Sequence, residues 1–180
     1  YTSPFGRLNQ LQRWRDLDEL AHINRSIAQE IDAGEYDIVF AHACLYTFIP
    51  TVLQFVRTPS IYYLHEPFGR TFTRHLPRPY LKRNRWREAL DRVDPLLCLY
   101  RQRLAQLQSA SVRRTTRLLS NSEFTRQCIQ QEFNVDAPVC HYGVNTDGFR
   151  PLPEVAKENW IISVGEMTPR KGFDFLIESL

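Results

Sequence analysis

No run of apolar residues in this 180-residue chain approaches the roughly 20 needed to cross a bilayer, and the opening Tyr1-Thr2-Ser3-Pro4 has no basic segment leading into an apolar one. The sequence thus offers no ground for a membrane span or for export. The four cysteines, Cys44, Cys98, Cys128 and Cys140, are widely spaced, without a CxxC pair or a histidine at metal-ligand spacing. That argues against a zinc or disulfide framework, and the four read as reduced core thiols of a cytoplasmic protein. No G-x-G-x-x-G is present, which counts against a dinucleotide-dependent dehydrogenase. There is no internal repeat and no low-complexity tract.

What is present suffices for one full hydrophobic core, since 43% of the residues are hydrophobic, with length left over for a fragment of a second domain. The net charge of +3 hides an uneven distribution. Between Arg70 and Arg117 lie thirteen basic residues against Glu88, Asp91 and Asp94, about +10, leaving about −7 elsewhere.

From Leu8 to Ile31 the residues Leu8, Leu11, Leu17, Leu20, Ile27 and Ile31 recur at helical intervals, and Gly34 supplies a stop. Asp37 to His42 then reads as a parallel strand buried on both faces, followed by a helical stretch through Thr51 to Val56. Ser60 to His65 is a second strand and Arg117 to Asn121 a third. Ser122 is placed to cap a helix from Glu123 to about Phe133, and Pro138 to Tyr142 is a fourth strand. Strands alternating with helices predict an α/β fold, a Rossmann-like parallel sheet flanked by helices. Ligands of such sheets bind beyond the carboxyl ends of the strands, where this chain has His42, His65, Asn121-Ser122 and Gly143.

The tract Pro151 to Glu158 is proline-bearing and charged, as an exposed connection would be. It divides the chain into an expected domain at 1–150, a linker at 151–159, and a strand and helix at 160–180 that open a second, truncated domain. The first domain lacks an opening strand, and the chain stops within an apolar helix. Both features are expected of a fragment of a longer reading frame.

Five segments then fall into a recognisable order. Asp37-Ile38-Val39-Phe40-Ala41-His42 resembles a D-[VI]-[VI]-x-x-H strand, and Tyr63-Leu64-His65-Glu66-Pro67 a strand ending in histidine. Leu119 to Thr125 resembles x-S-x-[ST]-E-x-[ST], Gly143 to Pro151 resembles N-G-V-D-x-x-x-F-x-P, and Val164 to Gly172 resembles V-G-R-L-x-x-x-K-G. Together they resemble the family 4 glycosyltransferases, whose GT-B fold sets two Rossmann-like domains face to face. The resemblance implies transfer of a hexose from a nucleotide-diphosphate sugar to a glycan or lipid-linked acceptor with retention of configuration, without a metal or further cofactor. The acceptor would lie on the first domain and the donor mainly on the second.

Under that resemblance His65 is the candidate for the reaction centre, because an imidazole can orient a sugar hydroxyl and respond to phosphate charge near neutral pH. His42, Glu66, Asn121, Ser122, Gly143 and Asn145 are candidate cleft or acceptor residues; for His42 the structural reading is preferred. Gly165, Glu166, Arg170 and Lys171 are candidate donor-binding residues, Lys171 matching the family's phosphate-contacting lysine. Glu166 departs from the pattern, which has arginine there. A carboxylate about 5 Å from a phosphate is repelled by roughly 3 kcal/mol at an effective dielectric near 20, so Arg170 is expected to take over part of the phosphate charge. No carboxylate pair suited to glycoside hydrolysis is evident. A non-catalytic glycan or sugar-nucleotide binding domain, or a sugar epimerase of GT-B architecture, is the alternative.

The basic 70–117 segment admits two readings. It is an amphipathic insertion with a solvated basic face, or a surface for an anionic membrane at its inner, cytoplasmic side, each basic residue there being worth about 1 kcal/mol. Nucleic acid is not expected as a partner, since no nucleic-acid-binding signature accompanies the charge.

Overall fold

The computed structural model describes residues 9–66, 94–167 and 171–180. They fall into two compact units, one reaching to Tyr142 and the other running from Gly143 to Leu180. The first unit is mixed α/β, a small three-stranded parallel sheet flanked by helices, and is compatible with a Rossmann-like fold. Its elements in order are α1 (Asn9–Ala33), β1 (Val39–Ala41), a 3₁₀ turn (Thr51–Gln54), β2 (Ser60–Leu64), α2 (Pro95–Arg114), β3 (Arg117–Ser120) and α3 (Glu123–Phe133).

The strands lie in the order β1-β2-β3, with Ala41 paired to Tyr62 and Tyr62 to Leu118. Side chains alternate across a strand, so this register sends Ala41, Tyr62, Leu64 and Leu118 to one face. There they form a core with Ile49 and Leu53 around the 3₁₀ turn, Val112 of α2, and Ile129 and Phe133 of α3. The other face carries Phe40, Tyr63 and, one step past each strand, His42 and His65. β1 was expected to be buried on both faces, but Ile38 and Phe40 are 51% and 54% exposed. No described element packs over that side of β1, which makes it a one-sided strand.

The helix α1 forms where its periodicity predicts, and its buried stripe matches the expected one in part: Leu17 is buried and Leu20 and Ile31 are half-buried. Leu17, Ala21, Asn24 and Ala28 face inward, while Leu11 and Ile27 stay exposed. The two alanines permit close approach, and Asn24 is satisfied inside by donating through Nδ2 to the Thr51 hydroxyl at 2.6 Å. At the far end Gly34 donates to the Ile31 carbonyl, and the Tyr36 ring lies so close that a Cβ at Gly34 would be 2.4 Å from it. Asp32 reaches across to the start of β2, where its carboxylate accepts the Thr58 N–H and hydroxyl at 2.9 Å each and the Arg57 N–H at 3.0 Å.

α2 starts at Pro95 because Asp94 caps it, accepting from the N–H groups of Leu96 and Leu97. Of the basic 70–117 segment, residues 70–93 lie outside the described residues. In the remainder, Arg103 pairs with Asp18 at 3.5 Å and Arg114 donates to the Gln54 carbonyl, while Arg113 and Arg114 stand in the last turn of α2, where cations complement the helix dipole. Ser122 caps α3 as expected, its hydroxyl oxygen accepting the Thr125 N–H at 3.2 Å. α3 ends at Asn134 in the left-handed conformation.

The expected fourth strand shrinks to one parallel bridge, Ser120 to Val139. β3 turns into the α3 cap immediately after Ser120, so no partner remains for a longer ladder. The cysteines are all free, but only Cys128 is buried; Cys44 is half-buried, and Cys98 and Cys140 are exposed. The expectation of four core thiols fails because Cys98 lies off the buried stripe of α2 and Cys140 leaves the sheet after its single bridge.

In the second unit, Trp160 to Gly165 makes no strand ladder, and Trp160, Ile162 and Val164 are 75%, 79% and 94% exposed. No neighbouring strand is available to them among the described residues of that unit. A six-residue helix, α4 (Phe173–Glu178), follows Gly172, whose φ of 70° suits glycine. Among the described residues no helix is long and apolar enough to cross a membrane.

Candidate functional site

Parallel β1 and β2 end side by side, and each ends in a histidine. Because Ala41 is in register with Tyr62, His42 and His65 emerge on the same face, two residues beyond Phe40 and Tyr63 respectively. Their rings stack 5.4 Å apart and 6° from parallel, and Nδ1 of His42 lies 3.1 Å from Nε2 of His65. The remaining nitrogen of His65, Nδ1, is hydrogen-bonded to the Tyr142 hydroxyl, and these two rings are also stacked, at 5.8 Å. Both ring nitrogens of His65 are thus engaged.

Tyr142 is held there by Tyr63. The Tyr63 ring meets His65 and Tyr142 edge-on, at 4.7 and 5.5 Å, and its hydroxyl donates to the Cys140 carbonyl two residues before Tyr142. Phe40 meets His42 edge-on at 5.0 Å. Five rings from three segments therefore form a continuous aromatic group at the carboxyl ends of the strands, with polar atoms along its rim.

Burial disfavours the imidazolium of His65, and the neighbouring His42 adds to this, so the His65 pKa is lowered although Glu66 pulls the other way. Burial raises the pKa of Tyr63, with Tyr142 and Cys140 reinforcing it. His65 is accordingly a neutral imidazole around pH 7, able to donate from one nitrogen while accepting at the other. His42 is exposed and makes no second hydrogen bond among the described residues. As chemistry, the arrangement offers a positioned base and a phenol.

The other expected site residues are placed as follows. Glu66 follows His65 directly and is exposed. Asn121 and Ser122 are half-buried at the end of β3, and the Ser122 hydroxyl is committed to the α3 cap and to Asn121 Oδ1 at 3.4 Å. Gly143 and Asn145 lie in the second unit, where Asn145 Oδ1 accepts the N–H groups of Asp147 and Gly148 and so forms a local turn. Also in that unit, a Cβ at Gly165 would sit 3.5 Å from the Phe173 ring and 3.9 Å from Cδ of Lys171, so Gly165 and Lys171 are neighbours. Glu166 is exposed, and Arg170 lies outside the described residues. Among the described residues no three His, Cys, Asp or Glu side chains gather as a metal site would need.

Tyr142, Tyr63 and Phe40 were not singled out from the sequence. A signal existed for the last two, since alternation places them two residues before each histidine and on the same face. Nothing local marks Tyr142, whose contact with His65 spans 77 residues. No protein-family model matches the chain, and no curated protein or solved structure matches it.

Proposed function

We propose that the chain is part of a retaining glycosyltransferase of GT-B type, in which a hexose passes from a nucleotide-diphosphate sugar to a glycan or lipid-linked acceptor. The observation that carries this reading is the convergence of His42, His65 and Tyr142 beyond the carboxyl ends of β1 and β2, the edge at which parallel sheets take ligands. A sugar offers hydroxyls to orient, and a rim of imidazole and phenol over aromatic rings suits that task. Lys171 beside Gly165 is the proposed contact for the donor diphosphate, with Arg170 sharing the charge. Catalysis would rest on electrostatic positioning of the leaving diphosphate, and no metal is invoked. The protein would act in the cytoplasm, with the basic 70–117 segment as its approach to an anionic membrane.

The test is transfer from a panel of nucleotide-diphosphate hexoses to glycan and lipid-linked acceptors by the full-length protein, with product configuration read by NMR. Transfer with retention, lost on His65→Ala, is the expected result. Donor hydrolysis or transfer with inversion would overturn the reading. Glu166, standing where the resemblance expects arginine, favours a second reading, binding of a glycan or sugar nucleotide without turnover. Saturable binding with no transfer across the panel would select it.

A further inference from the structure

The obvious assignment makes His65 the group that touches a ligand, but its hydrogen bonds argue otherwise. A neutral imidazole has one N–H and one lone pair, and both nitrogens of His65 are already used, one by His42 and one by Tyr142. We propose that Tyr142, His65 and His42 form a proton relay in which His65 is the internal bridge and His42 is the end that exchanges a proton with the oxygen of a bound ligand. The relay occupies the site proposed above and does not depend on the reaction assigned to it.

The bond directions permit two states. In one, the Tyr142 hydroxyl donates to His65 Nδ1, His65 Nε2–H donates to His42 Nδ1, and His42 presents an N–H at Nε2. In the other, every bond is reversed: His42 Nδ1–H donates to His65 Nε2, His65 Nδ1–H donates to the Tyr142 oxygen, and His42 presents a lone pair. Passage from the first to the second releases the Nε2 proton of His42 to the ligand oxygen. The His65 Nε2 proton crosses to His42, the phenol proton crosses to His65 Nδ1, and water reprotonates Tyr142, which is 59% exposed. One proton moves from water to ligand, with no redox change; the reverse passage takes a proton from a ligand hydroxyl.

Three further features fit this assignment. His42 is exposed and His65 only partly so. Both ends of the chain are fixed by edge-on rings, Phe40 against His42 and Tyr63 against Tyr142. The two imidazoles cannot both be cationic while the 3.1 Å contact persists, since two N–H groups would then face one another. The other titratable groups around them are Glu66 after β2, Tyr63 within it and Cys140 on the segment leading to Tyr142.

Long-range imidazole NMR on the 180-residue chain at pH 8 tests the coupling. Tyr142→Phe removes a hydroxyl that does not touch His42. The relay nevertheless requires the His42 tautomer ratio to shift by about fivefold, the equivalent of one ordinary hydrogen bond. Reciprocally, His42→Gln should shift the resonance of the Tyr142 ring carbon that bears the hydroxyl at the same pH, so either variant tests the link if the other does not fold. Diethyl pyrocarbonate should modify His42 several-fold faster than His65, because among the described residues nothing occupies the second nitrogen of His42 whereas both of His65 are engaged. An unchanged His42 tautomer ratio in the phenylalanine variant, an unmoved phenol in the glutamine variant, or modification of His65 as fast as His42 would each overturn the relay. None of these readouts involves sugar transfer, so the relay and the glycosyltransferase reading can fail separately.

Discussion

Asp32, in the last turn of α1, and Thr58, two residues before β2, are joined twice by hydrogen bonds of 2.9 Å, one from the Thr58 N–H and one from its hydroxyl. With Arg57 added, one carboxylate pins the end of the 25-residue helix α1 to the entrance of the central strand. The Thr58 N–H is the main cause of a depressed Asp32 pKa, from an ordinary 3.8 to about 2, with burial opposing it and the Thr58 hydroxyl and Arg57 assisting. A carboxylate whose pKa is lower in the folded state stabilises the fold fully above the unfolded value and loses that contribution as pH falls through the folded one. Asp32→Asn should therefore lower stability at pH 7 and flatten the loss between about pH 4 and pH 2. Denaturant titrations of both proteins across that range check this; equal slopes would remove Asp32 from the account.

The Asn24–Thr51 bond lies inside the contact between α1 and the 3₁₀ turn, with Asn24 8% and Thr51 3% exposed. Thr51→Val leaves the Asn24 amide without its partner and is expected to cost about 1–3 kcal/mol in urea denaturation. Adding Asn24→Leu should recover part of that loss, giving a coupling of roughly 0.5–3 kcal/mol in the double-mutant cycle. Additive effects would mean that the pair does not interact.

Ser122→Ala removes the α3 cap and should destabilise the first unit by about 1 kcal/mol, whereas Ser122→Asp should retain most of the stability. Chemical denaturation monitored by helical circular dichroism is the measurement. An alanine variant as stable as the parent would mean that the Ser122 cap does not hold α3.

The four thiols should separate by accessibility. Cys98 and Cys140 are expected to react with a thiol reagent in the folded protein, while Cys128 reacts only on unfolding, its burial also raising the thiol pKa. Peptide mapping after a brief alkylation distinguishes them. Early labelling of Cys128 would contradict the packing of α3 against β3.

Local signals in the sequence carried much of the first unit. The stop at Gly34, the cap at Ser122 and the apolar runs of β2 and β3 need only neighbouring residues to be read. Most of the failures involve partners distant in sequence. The inward stripe of α1 includes Asn24, which finds Thr51 27 residues on, so apolar periodicity located Leu17 but not the polar and alanine positions beside it. Phe40 is as apolar as any buried strand residue, and only the absence of a covering layer among the described residues leaves it exposed. At the candidate site, His42 and His65 were visible because each closes an apolar run; the hydrogen bonds that give them different roles depend on Tyr142 and were not.

The alternation of β2 places the core and the aromatic group on opposite sides of the same five residues. Tyr62 and Leu64 point one way, Tyr63 and then His65 the other, so inserting or deleting a single residue within Ser60–Leu64 would exchange the two sets. An imidazole would enter the interior just as a leucine replaced the bridging base. Length changes in this strand are therefore penalised twice over, once in the core and once at the aromatic group.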